Sequence, residues 1–255
     1  MSTVLEVAVA GLAVWNPPQA AKPQPDILPP NERRRAPDTV AVALQVAQAA
    51  CVNAGRDAAQ LPMIFASTYG DLAITDYMCG TLAQAPTTLS PTRFHNSVHN
   101  AAAGYWSIAT GCRRPYCALG AGQYTFAAGL FAAALQVCAD QTDVLYVAYD
   151  IDARGPLAHV ATSHGMLGVA LVLTATTGNA TSHPGAGTTL RLAVVADASG
   201  GGAAAAAIRH VPDTPGSASA IADCLPLIAA LERRTAAVLR LPLGPTSALE
   251  IRLEP

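Results

Sequence analysis

Few residues of this chain could do chemistry, and most stand at spacings that argue against it. Between Gly120 and Leu130 the sequence reads GAGQYTFAAGL, behind the apolar run PYCAL and ahead of the helix-like run FAAALQVC. A glycine-flanked turn from strand to helix is where many α/β enzymes display a nucleophile. The residue displayed here is Gln123, whose amide can hydrogen-bond but cannot be acylated under ordinary conditions. The nearest thiol is Cys117. It falls in mid-strand, several residues before the turn, whereas a reactive thiol needs exposure and an electropositive setting. It reads as a core or interface cysteine.

His95 and His99 stand four apart in HNSVHN, a spacing that could hold zinc on a helix. His95, however, falls in a loop and His99 opens the next helix. No H-E-x-x-H pattern and no obvious third ligand accompany them, so a capping or interface role is expected and no metal. His159 and His164, in LAHVATSHG, have no acidic partner at a telling spacing and read as loop or core residues. His210 reads as solvated. Asp150 and Asp152 end a strand and could pair for acid–base work. Nothing in the sequence puts them in one site, and turn capping is the preferred reading. Gly200-Gly201-Gly202 is no phosphate loop, because no Lys-Ser/Thr follows. The cluster ERRRAPD (32–38) reads equally as a solvated loop or as a partner-facing anchor.

The composition narrows the classes. The 255 residues are 51% hydrophobic and 13% charged, with a net charge of -2. That length suits one large domain or two small ones, with a core that needs no staples. The charge gives no basic footprint for nucleic acid. Low charge and positive mean hydropathy suggest large apolar surfaces, some of them covered by a partner chain. Cys51, Cys79, Cys112, Cys117, Cys138 and Cys224 form no C-x-x-C pair and read as small core residues. The amino-terminal MSTVLEVAVAGLAV lacks a basic region and carries Glu6, so it reads as a strand and not as an export signal. No run approaches the ~18 apolar residues of a membrane helix. A cytoplasmic location with reduced thiols is expected, where the sequon Asn179-Ala180-Thr181 has no meaning.

The elements that must position these residues follow from periodicity. A strand is predicted over 4–14, then a proline-rich connector from Pro17 to Pro30. A helix follows with Asp38 as N-cap and Gly55 as its stop. MIFAST (63–68) reads as a strand, and DLAITDYMCGTLAQ as a helix with Asp71 near its start. PTTLSPTRFHNS reads as a loop, and VHNAAAGYWSIATG as a small-residue helix closed by Gly111. PYCALGAG is a strand and turn, and QYTFAAGLFAAALQVCA a helix. Strands are predicted at Val144–Tyr149, 169–176 and 189–198. SGGGAAAAA marks a flexible low-complexity loop, 199–218, inside a single domain spanning 1–255. A helix follows in which Pro226 fits poorly, and VLRLPL and ALEIRLEP close the chain as strands. Strands alternating with helices, then strands dominating, predict an α/β layered fold.

The order of these segments carries a resemblance. VAVAGLAVWNP resembles the first strand of β-ketoacyl synthases, and STYGDL the strand end that follows their first helices. SPTRFHNSVHNAAAGYWSIATG resembles the loop and interface helix before the nucleophile strand. In those enzymes a proline precedes the catalytic cysteine by eight residues; eight from Pro115 lands on Gln123. DVLYVAYD and GMLGVALVLTAT resemble the strands that close the N-terminal half. Together with the RRR cluster, these features identify the chain as a member of the ketoacyl synthase-like N-terminal family. That family includes chain-length-factor-like subunits of aryl polyene (xanthomonadin-type) pathways. The likeness covers roughly 4–198; GPTSALEIRLEP resembles a synthase's last glycine-rich turn and strand only loosely.

The resemblance implies a truncated thiolase-like layered fold, mainly the N-terminal half-domain. A complete synthase also needs two histidines and a lysine from a C-terminal half for which this chain is too short. Its only lysine is Lys22, in the connector. The implication is a non-catalytic, chain-length-factor-like partner in polyene, polyketide or fatty-acid-like biosynthesis. It would form a heterodimer with a catalytic ketosynthase, meet acyl carrier protein through that partner, and need no cofactor. Malonyl-decarboxylating loading domains also carry Gln at this turn, but they retain the histidines. Thiolase-like dimers pair the strand before the nucleophile, here Tyr116, Cys117, Ala118 and Leu119. His99, Asn100 and Gly104 of the small-residue helix would flank it, and Phe94, His95 and Tyr124 would shape the end of the partner's acyl tunnel. The alternatives are a stand-alone acyl-transfer or decarboxylating enzyme and a homodimeric structural protein.

Overall fold

The structure is a computed structural model that describes residues 4–16, 21–161, 163–176, 187–197 and 218–255. The amino-terminal alternation makes β1 (Val4–Trp15), which sends Leu5, Val7 and Val9 into one core. The connector ends in a short helix, α1 (Pro30–Arg33), and is tied down by Gln45 and Gln48, whose side-chain oxygens accept from Gln24 and Ile27. Helix α2 (Asp38–Ala54) starts one residue earlier than its capping pattern predicts. Pro37 occupies the N-cap and Asp38 the first turn, where the carboxylate faces the helix dipole and Arg154. Gly55, at φ +62°, stops it as expected.

After β2 (Met63–Ala66), α3 (Leu72–Gln84) is capped by Asp71, which accepts from the Ile74 amide at 2.8 Å. The segment expected as a loop contains a helix, α4 (Pro91–Asn96). Ser90 caps it and Pro91 sits in its first turn, so two weak local signals combine into a start. His95 therefore lies on a helix and not in a loop. His99 precedes α5 (Ala101–Thr110) instead of opening it, and Gly111 closes that helix at φ +69°. Strand β3 (Tyr116–Leu119) leads through a 3-10 turn, Gly122–Tyr124, into α6 (Thr125–Asp140).

Strands β4 (Val144–Asp150), β5 (Leu167–Ala175) and β6 (Thr189–Ala196) follow, then α7 (Leu225–Arg233), β7 (Ala237–Gly244) and β8 (Ser247–Glu254). Pro226 falls in the first turn of α7, where its missing amide proton costs nothing; the helix begins later than the sequence pattern suggests. The sequon and most of the 199–218 low-complexity segment lie outside the described residues, as does His210.

Among the described residues, one mixed sheet runs in the order β3-β2-β4-β5-β1-β6-β8-β7. Strand β2 is parallel to β3 and β4, and the remaining neighbours are antiparallel. Helices α6 and α7 pack one face around Leu130, Ala134, Leu227 and Leu231. On the other, α2 and α5 cover Phe65, Leu145 and Val147. Helix α2 is apolar nearly all round, as a helix enclosed on several sides must be. It passes so close to β1 that a methyl on Gly11 would meet the Ala50 carbonyl oxygen at 2.4 Å. Beyond β1 no helix among the described residues covers that second face. It carries instead a ladder of ion pairs, Glu6–Arg191–Glu254 and Arg240–Glu250–Arg252. Their arginines hold the Glu6 and Glu250 carboxyls below the usual carboxylate range.

The cysteines divide. Cys51, Cys112 and Cys224 are buried and Cys138 half-buried, but Cys79 and Cys117 are exposed, which corrects the expectation of six core cysteines. Burial pushes the Cys51 thiol up to about 12, with Asp57 adding to the effect. No helix among the described residues is long and apolar enough to cross a membrane.

Candidate functional site

The parallel strands β2, β3 and β4 end at the same edge of the sheet, and their C-terminal turns build one polar cluster. Such a crevice is where open α/β sheets place their ligands. At its centre is Asp150, 1% exposed. Its carboxylate accepts from the Ser67 hydroxyl at 2.9 Å, the Thr68 amide at 3.0 Å and the Tyr69 amide at 3.3 Å. Burial raises the carboxyl above its ordinary value, and those three donors pull against that rise. Ser67 in turn accepts from the Gly70 amide at 2.9 Å. Asp71 receives the Thr39 hydroxyl at 2.7 Å, which ties the same turn to α2.

Asp150 thus caps a turn, the general role expected for it, but the turn is the one after β2, which the sequence did not indicate. It does not share a site with Asp152, which bonds to the Gly165 amide instead. Ser67 carries the network but shows no sequence signal. It pairs across 83 residues, and only the parallel register of β2 with β4 brings the two together.

His99 closes the cluster from the α5 side. Its Nε2 lies 3.0 Å from the Ser67 carbonyl oxygen, which only accepts, so Nε2 carries the proton. A methyl on Gly120 would stand 3.2 Å from both Nε2 and that carbonyl. The imidazole therefore sits between the turn after β2 and the turn after β3. A serine, a histidine and an aspartate meet here without forming a nucleophilic triad. The Ser67 hydroxyl is fully buried and donates to the carboxylate, and His99 touches the Ser67 backbone.

The next turn carries Gln123. Gly122 takes φ +56°, and Thr125 pins the turn by donating to the Gly122 carbonyl at 2.7 Å and accepting from the Ala121 amide at 3.0 Å. Gln123 is exposed, and its side-chain amide donates to the Tyr124 hydroxyl at 2.8 Å. Tyr124 itself is half-buried. The turn displays a side chain to solvent at the head of α6, but that side chain has no acylable atom.

The other candidates surround β3. Tyr116 and Cys117 are exposed, Ala118 and Leu119 half-buried. Exposure removes the core alternative for Cys117. Asn100 donates to the Tyr116 hydroxyl at 3.0 Å. Gly104 faces open space on α5, although two alanines of that helix, Ala102 and Ala103, point into the core. Phe94 is 56% exposed and His95 is exposed beside it. His159 and His164 are exposed. Among the described residues no group of three or more His, Cys, Asp or Glu could hold a metal ion.

The family profile described as "Beta-ketoacyl synthase, N-terminal domain" matches residues 10–221. A comparison with curated proteins found no match. Among solved structures, the ketosynthase ApeO in complex with its chain length factor ApeC from Xenorhabdus doucetiae is similar at 19% identity. It covers 99% of this chain and 98% of that one, with a TM-score of 0.66. The ishigamide ketosynthase/chain length factor matches at 15% identity, 98% and 100% coverage and a TM-score of 0.67. AntDE:AntF, a type II polyketide ketosynthase with its acyl-carrier protein, matches at 10% identity, 98% and 99% coverage and a TM-score of 0.74. At these identities the likeness establishes a shared fold, the thiolase-like ketosynthase fold.

Proposed function

This chain belongs to the β-ketoacyl synthase N-terminal domain family, and from that premise we propose that it is a chain-length-factor-like subunit without condensing activity. The observation that carries the reading is Gln123. The strand-to-helix turn keeps its geometry, with Gly122 at positive φ and Thr125 pinning it, while the displayed side chain cannot carry an acyl group. Claisen condensation further needs donors for the enolate formed on decarboxylation. The one histidine built into the turn cluster, His99, spends its Nε2 proton on the Ser67 carbonyl.

The partner in this reading is a catalytic ketosynthase, joined through the open edge of β3 and the flanking face of α5. Two of the similar structures are complexes of a ketosynthase with its chain length factor, which supports that choice. Phe94, His95 and Tyr124 then reach the end of the partner's acyl tunnel, and acyl carrier protein docks through the partner. The pathway is of polyene or polyketide type, with aryl polyenes as the specific proposal.

Co-expression with a catalytic ketosynthase tests the reading. The two chains should purify as one complex, and condensation should be lost when this chain is omitted. Separate purification, with condensation unaffected by the omission, would refute it. Acylation of the isolated chain by carrier-protein thioesters, read by intact mass, would favour a stand-alone acyl-transfer enzyme instead.

A further inference from the structure

The described sheet has a notch beside β1. Strand β5 follows β1 from Val7 to Trp15, but β6 accompanies it only from Val4 to Ala8. One further bond, from the Val9 amide to the Thr188 carbonyl at 3.1 Å, ends that pairing. Ala10 is then an extra residue against β5, a bulge. Past it the backbone groups of Leu12 point into the notch. The Leu12 carbonyl accepts from Nδ2 of Asn53, in the last turn of α2, at 2.8 Å. A strand residue turns its N–H to the same side as its C=O. The Leu12 amide therefore also faces the notch, and no hydrogen bond among the described residues uses it.

The notch opens to solvent as a cavity of about 200 Å³. Val9, Leu12, Asn53, Thr188, Leu231 and Arg234 line it, and no acidic side chain does. Arg234 reaches it through an uncommon backbone. It caps the C-terminus of α7 at φ +51°, the left-handed region where glycine or asparagine is favoured. Non-glycine residues held in that region cluster at ligand clamps. Arg56, Arg191 and Arg240 each meet a carboxylate of the chain. The Arg234 guanidinium has no ion pair or hydrogen bond among the described residues, although Pro255 also lines the cavity.

We propose that this notch binds a small carboxylate with a short aliphatic tail. The Arg234 fork takes both oxygens of the head, the Leu12 amide donates to one of them, and the tail lies against Val9 and Leu231. A guanidinium matches a carboxylate with two parallel bonds. A phosphate would leave an oxygen without a donor and the apolar wall unused. A cavity of about 150 Å³ holds benzene, so the tail here is a few carbons long. The site is separate from the turn cluster: Asn53 and Thr39 stand at opposite ends of α2, about 20 Å apart along its axis. It does not depend on the reading of the chain as a ketosynthase partner.

The test titrates sodium butyrate into the full-length chain and reads its amide NMR spectrum. The Leu12 and Arg234 resonances should shift saturably, and those of Gly120–Tyr124 should stay in place. Sodium chloride at equal ionic strength, inorganic phosphate and butanol should each leave Leu12 unmoved. Arg234→Gly should raise the thermal midpoint, because glycine suits the left-handed cap, and yet weaken butyrate binding about 10- to 100-fold. An arginine with only a structural role would not part those two readouts. If the glycine disturbs α7, Arg234→Gln removes the charge alone and should weaken binding to the same degree. Unchanged butyrate binding in either folded variant would overturn the proposal. So would phosphate shifting Leu12 as strongly as butyrate, the mark of a general anion site, or butanol doing so, the mark of an apolar cavity only. A Leu12 resonance that never shifts saturably would overturn it as well.

Discussion

The carboxylate of Asp150, at the end of β4, accepts a hydrogen bond from the hydroxyl of Ser67, just past the end of β2, at 2.9 Å. That contact lets a buried acid hold the turn that leads into α3. Asp150→Ala would leave the Ser67 hydroxyl and the Thr68 and Tyr69 amides unpaired, and should cost about 3 kcal/mol in urea unfolding. The pH dependence has a definite sign. The folded-state pKa lies above the ordinary carboxylate value, so the stability Asp150 contributes is full below that value. It is lost as pH rises through the raised one. The gap between wild type and Asp150→Ala should therefore narrow from about pH 4 upward. A gap that widens with pH would contradict this account.

His99 joins the turns after β2 and β3 through one hydrogen bond and the close approach to Gly120. His99→Ala should cost about 1 kcal/mol. Amide exchange should quicken at Gly120–Tyr124 more than at β4. Uniform quickening across the sheet would show that the imidazole acts on the whole fold and not on the turn.

Two glycines make opposite predictions. A methyl on Gly129 would lie 2.6 Å from Cε2 of Tyr146 and 3.1 Å from the Ala66 side chain, in a fully buried layer of α6 against β4 and β2. Gly129→Ala should destabilise by about 1–3 kcal/mol. A methyl on Gly104 meets nothing within 4 Å. Gly104→Ala should raise the stability of the isolated chain by about 0.5–1 kcal/mol through α5. If α5 is part of the partner interface, the same substitution should weaken co-purification with a ketosynthase. Thermal unfolding and pull-down together separate the two effects.

Gln123→Ala should leave stability within about 0.5 kcal/mol and pathway activity within about twofold of wild type, because the turn is held by Thr125 and Gly122. Gln123→Cys should not confer condensation on the isolated chain. A large loss in Gln123→Ala with the complex still assembled would assign the amide a role at the interface.

The features legible in the sequence were those fixed within a few residues. Asp71 as a helix cap, Gly55 and Gly111 as helix stops, and the glycine-flanked turn around Gln123 need only local backbone geometry. So do the strand alternation of β1 and the absence of an acylable atom at the turn. The order of segments carried the family. What the sequence could not carry depends on contacts far along the chain. The partnership of Ser67 with Asp150, the place of His99 between two turns, and the exposure of Cys117 follow from strand order and register. Pro226 and His95 were misplaced because weak helix-start signals are decided by what the helix packs against. Local chemistry thus determined that the side chain displayed at this turn, Gln123, has no acylable atom. Only the tertiary structure decided that β3 is an outer strand of the described sheet, because strand order is a property of the whole sheet.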